Sequence, residues 1–390
     1  MELSQRISRI SVSSTLAVVQ KAAKLKASGI NVVDFGAGEP DFPTPDAIKK
    51  AAVEALQQNF TKYTPTGGIP ELKQAVIGRH AKDFGSTYAV EECLVTVGGK
   101  QAIFEAVAAT INHGDEVILP VPYWVSFLDI VNYAGGRPVM LETREEDGFA
   151  VKAEEVEKLV TPKTKLIIVN SPNNPTGAVI PPEEMEKLLA VAERHNILLM
   201  SDECYCQFLY DGRKPFSLGR SSNRENLLIV GSLSKTYAMT GWRVGFALGN
   251  RDLLRSMLKL QSHSTSNPTS FAQKAAVEAL NGPQDSVQTM LAEYQRRRNR
   301  IVEGLRAIPG IKCNMPEGAF YVYPNIGAYL KKDAIADAGK LVEKLLETAH
   351  VALVPGPAFG TQDHLRISYA TSQEQIDEGL RRMTKFFGEL

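Results

Sequence analysis

The sequence predicts an α/β protein, with a mostly parallel sheet between helices and a smaller α+β unit after it. Three observations carry this expectation. Apolar runs at 94–97, 116–119, 166–169, 197–200, 227–230 and 244–248 are short and dense in Val, Ile and Leu, as strands buried on both faces of a parallel sheet are. Helical patterns such as 101–112 and 182–195 separate most of them, the alternation that builds such sheets. After about residue 281 the character changes to a long basic helix over 287–308, followed by strand-like 319–323, 352–355 and 365–369. The expected division is therefore a large domain over 41–285 and a small one over 286–390, with 1–40 packing against the latter.

Taken in order, Thr44-Pro45-Asp46 opens a helix running to about Gln58, with Thr44 as its cap and Pro45 at its first position. Pro70 starts another, with Leu72, Val76 and Phe84 at helical spacing and Gly85 after its end. In open α/β sheets, ligands bind beyond the C-terminal ends of the strands. The polar clusters fall there: Gly98-Gly99-Lys100, Asn170-Ser171-Pro172-Asn173-Asn174, Asp202-Glu203 and Ser232-Leu233-Ser234-Lys235.

Composition narrows the function classes. Lys+Arg and Asp+Glu both number 44, so the formal net charge is zero, which gives no general attraction to nucleic acid or to an anionic membrane. Hydrophobic residues at 44% and charged residues at 23% exclude a disordered or collagen-like chain. No internal repeat or low-complexity tract is present. The start, Met1-Glu2-Leu3-Ser4-Gln5-Arg6, lacks a signal peptide's apolar core, and no apolar run approaches the ~18 residues of a membrane span. A soluble, cytoplasmic protein is expected. Four cysteines in 390 residues make no disulfide framework. Cys204 and Cys206 stand two apart in an apolar run, which would place both on one face of a strand; buried structural thiols are a better reading than a redox pair. The six histidines show no metal-ligand spacing, so no metal is expected.

Two motifs carry chemistry. Val95-Thr96-Val97-Gly98-Gly99-Lys100-Gln101 reads as strand, glycine turn and helix start, and the free N–H groups of such a helix bind phosphate. It is not a P-loop, which would need Gly at the position of Leu94 and Ser or Thr at that of Gln101. Alone, the glycine pair explains a tight turn equally well. The second motif, 232–243, sets Lys235 directly after a buried-type strand, flanked by hydroxyls, with Arg243 eight residues on. Desolvation lowers the pKa of a half-buried lysine and makes a neutral amine available for imine formation, while the hydroxyls and Arg243 suit a phosphate. A phosphorylated heteroaromatic aldehyde held at Lys235 would satisfy both motifs.

Ser171-Pro172-Asn173-Asn174-Pro175-Thr176-Gly177, Ser201-Asp202-Glu203 with Tyr205, Ser232-Leu233-Ser234-Lys235 and Gly241-Trp242-Arg243-Val244-Gly245 together resemble the fold-type-I aminotransferases that use pyridoxal phosphate. The similarity extends from Gly38-Glu39-Pro40-Asp41, through Tyr63-Thr64-Pro65 and Tyr123-Trp124-Val125-Ser126, to Arg366-Ile367-Ser368-Tyr369-Ala370, nearly the whole chain. It is strongest to the bacterial aspartate aminotransferase branch of class I. The resemblance implies a seven-stranded, mostly parallel sheet in the large, cofactor-binding domain, and a homodimer.

It also implies roles. Lys235 resembles the Schiff-base lysine and later general base of ping-pong chemistry, Asp202 the partner of the pyridine nitrogen, and Asn174 and Tyr205 the partners of the ring's phenolic oxygen. Trp124 would stack on the ring. Ser232, Arg243, the amides of Gly99 and Lys100, and Gln101 resemble the phosphate cup. Arg366 resembles the clamp for the substrate's α-carboxylate, a bidentate geometry that lysine does not offer, with Asn174 and Trp124 beside the substrate and Gly38 admitting a backbone N–H to the same carboxylate. Tyr63 resembles the tyrosine that crosses from the neighbouring subunit to the cofactor phosphate.

The implied reaction is L-aspartate + 2-oxoglutarate to oxaloacetate + L-glutamate. The group that would hold the substrate's second carboxylate is not evident; Ser13, Ser14 and Thr15 are candidate donors that a helix N-cap explains equally well. Relatives that also accept prephenate carry a lysine near where this chain has Ser11-Val12, which argues against that activity. Aromatic or alanine specificity, or a β-lyase on the same fold, are the alternatives. A cofactor-binding regulator would need a DNA-binding module, for which no room is seen before Gly38.

Overall fold

The computed structural model describes residues 3–12, 14–330 and 335–390. Its strands are β1 (Val33–Asp34), β2 (Cys93–Thr96), β3 (Glu116–Val121), β4 (Arg137–Glu142), β5 (Thr164–Asn170), β6 (Leu198–Asp202), β7 (Leu227–Ser232), β8 (Gly245–Gly249), β9 (Tyr321–Val322), β10 (Val351–Ala352), β11 (Val354–Pro355) and β12 (Leu365–Ser368). Seven of them form one sheet in the order β2-β8-β7-β6-β5-β3-β4. Only β8 runs antiparallel to its neighbours. This is the expected seven-stranded, mostly parallel sheet. All six apolar runs are strands in it. The seventh, β4, escapes pattern reading because it is an edge strand: it pairs only with β3, carries Arg137 and Pro138, and is mostly half-buried.

Helices cover both faces. Pro70–Phe84, Pro182–Arg194 and Ser270–Asn281 pack into one apolar layer, whereas Gly99–Thr110, Val125–Ala134 and Arg251–Ser262 pack into the other. A third core gathers the long Asp285–Arg306 helix, the Ala338–Thr348 and Gln373–Gly388 helices and strands β9 and β12 of the small antiparallel sheet β11-β12-β9. Val33 and Phe35 enter that third core, and β1 pairs in parallel with β10.

Two local expectations change. The helix at 46 begins at Asp46, with Pro45 as its N-cap and no side-chain capping bond. Thr44 instead donates to Ala238 O at 2.6 Å and accepts from Trp242 Nε1 at 3.0 Å, so a tertiary bond has taken the hydroxyl that a local cap would use. Cys204 and Cys206 lie in a turn beyond β6, not on a strand; burial pushes both thiols well above the ordinary range, and all four cysteines are free.

Register positions the ends of the strands. Asn170 pairs with Asp202 across β5 and β6. Gly245 pairs with Ser232 of β7 on one side and Thr96 of β2 on the other. These residues therefore share one edge of the sheet. Because Leu199 of β6 is fully buried in the middle of that sheet, Leu199→Ala should destabilise the protein by about 2–5 kcal/mol, read as a lowered urea midpoint; an unchanged midpoint would contradict this packing.

Candidate active site

A cleft of about 370 Å³ opens at the C-terminal edge of the sheet, against β9 and β12 of the small sheet. At one end lies the glycine turn after β2. Gly98 sits in the left-handed region (φ 81°), and a Cβ there would come within 2.6 Å of the Arg243 guanidinium. The Gly99–Thr110 helix starts immediately afterwards, leaving first-turn N–H groups and the positive end of its dipole facing the cleft. Ser232 ends β7 and caps the short helix that carries Lys235, accepting from Ser234 N at 3.1 Å. Arg243, itself left-handed (φ 56°), is held by a bond from Nη1 to Thr240 O at 2.8 Å. These groups form an anion cup.

At the other end is Asp202, whose Oδ1 accepts from Cys204 N at 3.0 Å. Burial raises its carboxyl to about 6, against which the Cys204 bonds act. Asn170 fixes this corner: its Nδ2 donates to Asp202 O at 3.0 Å and its Oδ1 accepts from Asn174 N at 2.8 Å. Between the two ends stands Lys235. Its Nζ donates to Gly38 O, and burial lowers its ammonium to about 8. Tyr205 is buried beside it, its hydroxyl 2.9 Å from that of Tyr321, and burial pushes its phenol well up.

Arg366 rises from β12 and is 2% exposed. Nη1 donates to Asn174 Oδ1 at 3.1 Å and Nη2 to Gly36 O at 2.8 Å, while Nε has no partner among the described residues. The guanidinium lies 4.7 Å from the Tyr321 ring centroid and 5.1 Å from that of Phe359, so its plane is set by stacking. Gly38 makes a close approach here: a Cβ would meet Tyr321 Oη at 3.0 Å. Lys100 also turns inward, its Nζ 5.0 Å above the Trp124 ring. Burial, then Arg243, lowers its pKa. Among the described residues, four cations (Lys100, Lys235, Arg243 and Arg366) thus line the cleft with a single carboxylate, Asp202. Such a site takes anions.

Gly38, Gly99, Lys100, Trp124, Asn174, Asp202, Tyr205, Ser232, Lys235, Arg243 and Arg366 all line this cleft. One expected member is not brought into it. Gln101 turns away, with Oε1 accepting from Val97 N and Nε2 donating to Thr265 Oγ1 at 2.6 Å; its amide braces the turn from behind. Tyr63, which the resemblance places at a neighbouring subunit's site and not at its own, stands on the surface, 93% exposed. Ser13 and the side chains of Ser14 and Thr15 lie outside the described residues. Tyr321, Ser234 and Thr240 line the cleft without having been singled out. Only the neighbouring Ser232 and Lys235 hinted at Ser234, and no local pattern marks Tyr321.

This fold and this cleft define a pyridoxal-phosphate-type transferase, and the comparisons agree. A family model described as aminotransferase class I and II matches residues 30–383, and the chain belongs to that family. It is similar to an aspartate aminotransferase of Bacillus sp. (strain YM-2), 44% identical over 98% of each chain. It is likewise similar to a probable aspartate/prephenate aminotransferase of Aquifex aeolicus, 43% identical over 100% of this chain and 99% of the relative. A solved aspartate aminotransferase of Thermus thermophilus with maleate is 43% identical over 99% of each chain, with a TM-score of 0.94. The family's cofactor is pyridoxal phosphate, and the donor set fits it: an anion cup, a buried carboxylate in want of a cationic partner, and a poised amine between them.

In the cofactor-free protein, the buried Lys235 ammonium opposes folding. Its pKa of about 8 lies below the ordinary 10.5, so its stability contribution is present above the ordinary value and lost as pH falls through the folded one. Lys235→Met should therefore raise the thermal midpoint of the cofactor-free protein by a few degrees at pH 7, with the gain fading as pH rises from 8 to 10.5. A gain constant over that interval would mean that burial does not set the amine's pKa.

Proposed function

We propose that this protein is an aspartate-type aminotransferase that converts L-aspartate and 2-oxoglutarate to oxaloacetate and L-glutamate, with Lys235 as its catalytic amine. The observation that carries the reading is the cation arrangement: Arg366 and Lys100 line the same cleft as Lys235, giving two cations for the two carboxylates of a dicarboxylate substrate. Pyridoxal phosphate, when bound, supplies an electrophilic carbonyl carbon and an electron-withdrawing ring.

Each residue then has a task that follows from its surroundings. Gly99 and Lys100 N–H groups, Ser232 and Arg243 hold the phosphate. The Asp202 carboxylate, strained by burial when alone, is relieved by a protonated ring nitrogen and keeps it protonated. Asn174 and Tyr205 donate to the ring's phenolic oxygen, and Trp124 covers the ring. Arg366 clamps the α-carboxylate, with Gly38 beside it. Nζ of Lys235 takes the proton from the substrate Cα and returns protons during the exchange; a pKa near 8 gives it a usable neutral fraction at physiological pH.

For the substrate's side-chain carboxylate, to which the sequence assigns no group, the proposed partner is Lys100. Its ammonium lines the cleft with no carboxylate bonded to it among the described residues, and it is the cation free to meet the substrate's side-chain carboxylate. A Thermus thermophilus relative solved with maleate, a dicarboxylate, supports a dicarboxylate substrate. We further propose a homodimer in which Tyr63 completes the neighbour's anion cup, and a small domain over 286–390, with 1–40 attached, that packs on the large domain over 41–285.

Adding L-aspartate without an oxo acid should consume the enzyme's bound cofactor form, read by its visible absorbance, and release one equivalent of oxaloacetate per subunit. An unchanged spectrum with aspartate, but a changed one with alanine, aromatic amino acids or cysteine, would replace aspartate as the substrate. Lys100→Met should raise KM for aspartate about tenfold or more while leaving turnover of L-alanine nearly unaltered; equal effects on both amino acids would remove Lys100 from side-chain recognition.

A further inference from the structure

The stretch 60–69, which carries Tyr63, is bolted to the Ser270–Asn281 helix more firmly than an idle surface loop needs. Gln273 of that helix is fully buried and makes three bonds. Its Oε1 accepts from Ile69 N at 2.9 Å; its Nε2 donates to Thr64 Oγ1 at 3.0 Å and to Pro268 O at 2.8 Å. On the other side of Tyr63, Ser270 Oγ donates to Phe60 O at 2.8 Å. Gln261, also fully buried, donates to Thr66 O at 2.8 Å. Gly68 is left-handed (φ 100°) and packs on Val95, leaving no space for a Cβ.

A buried amide whose donors and acceptor are all engaged fixes the backbone it holds. Yet Tyr63, one residue from Thr64, is 93% exposed and makes no hydrogen bond or ring contact among the described residues. The bracket therefore orders a side chain that its own chain does not use. We infer that Gln273 is a positioning residue acting in trans: through Thr64 and Ile69 it presents Tyr63 to the anion cup of the neighbouring subunit, so that its loss impairs the partner's site and not its own. This rests on the proposed role of Tyr63.

The test uses dimers of two differently tagged chains, with Lys235→Ala marking the site that is not read. Borohydride reduction at graded free pyridoxal phosphate, followed by intact-mass measurement of each chain, reports occupancy of the remaining Lys235. In one hybrid, Gln273→Met faces a Lys235→Ala chain. The surviving site lies in the Gln273→Met chain and receives Tyr63 from an intact bracket, so wild-type affinity is expected. In the other, one chain carries both substitutions and faces wild type. The surviving wild-type site then receives Tyr63 from the damaged bracket, and about fivefold to tenfold weaker affinity is expected, the worth of about one hydrogen bond. A deficit that follows the Gln273→Met chain, or that is equal in both hybrids, overturns the inference.

Thr64→Val, which removes one bond and leaves the helix intact, must show the same asymmetry and carries the test should Gln273→Met fail to fold. Tyr63→Phe in the same two hybrids separates the levels. A deficit at the partner's site keeps the reading of Tyr63 even where the glutamine inference falls. A deficit in its own chain, or none, overturns both.

Discussion

Strand β8 lies antiparallel between β7 and β2, and where it begins, Gly245 faces Ser232 on one side and Thr96 on the other. A Cβ at Gly245 would run into Gly99 N and Gly98 C. The absence of a side chain at this one position lets the helix N-terminus after β2 come up against the strand that leads to Lys235. Everything in the cleft depends on that approach. The first-turn N–H groups, Ser232 and Arg243 converge only because two strands that are far apart in sequence are spaced by a backbone of minimal width. Gly98, which leaves room for the Arg243 guanidinium, and the left-handed Arg243 itself are further consequences of the same crowding; a non-glycine residue with positive φ is tolerated where the surrounding structure over-determines it.

Crowding also explains the electrostatics. Four cations around one carboxylate in a half-closed cleft repel each other, and desolvation adds to that repulsion. Desolvation, with Arg366 and Arg243 adding to it, pushes the Lys235 ammonium down, and desolvation with Arg243 does the same to Lys100; at Asp202 desolvation pushes the carboxyl up, against the opposing pull of Lys235. A phosphate in the cup, a protonated nitrogen at Asp202 and two substrate carboxylates would each relieve one of these displacements. The empty-handed charges are thus stored binding preference, and the amine with the most to gain from losing its proton stands in the middle.

Much of this was legible in the chain. Buried parallel strands announce themselves by continuous Val, Ile and Leu, and their C-terminal ends carried the polar clusters that the structure gathers in one cleft. What was not legible has a common cause: tertiary partners. Strand β4 is an edge strand whose residues need please only one neighbour. Thr44 reads as a helix cap, but Ala238 and Trp242 claim its hydroxyl. Cys204 and Cys206 read as strand positions, but the chain turns at Asp202, where the backbone must bend to present that carboxylate. Gln101 reads as a cup residue by its place in the motif, yet its side chain leaves the cleft to brace Val97 against Thr265. Tyr321 enters the site from a different sheet, 119 residues beyond Asp202 in the sequence, and no local rule could bring it there.

The contrast between Gln101 and Lys100 shows how one turn of helix divides its labour. Consecutive side chains on a helix point about 100° apart, so neighbours at the N-terminus cannot both face the cleft. The backbone N–H groups serve the anion regardless of side chain; the first residue, Gly99, is bare because Cys204 Sγ and Ser232 Cβ crowd it. Lys100 then points into the cleft over the Trp124 ring, and Gln101 points away as a strut. The same helix thus offers backbone donors, an inward cation that the proposed reading gives to the substrate, and a rigid back wall, and the motif Gly98-Gly99-Lys100-Gln101 holds these parts in order. A turn built this way can meet a phosphate with its backbone and leave its side chains free for something else, which is how, on the proposed reading, a cation for the substrate's second carboxylate sits inside a phosphate-binding motif.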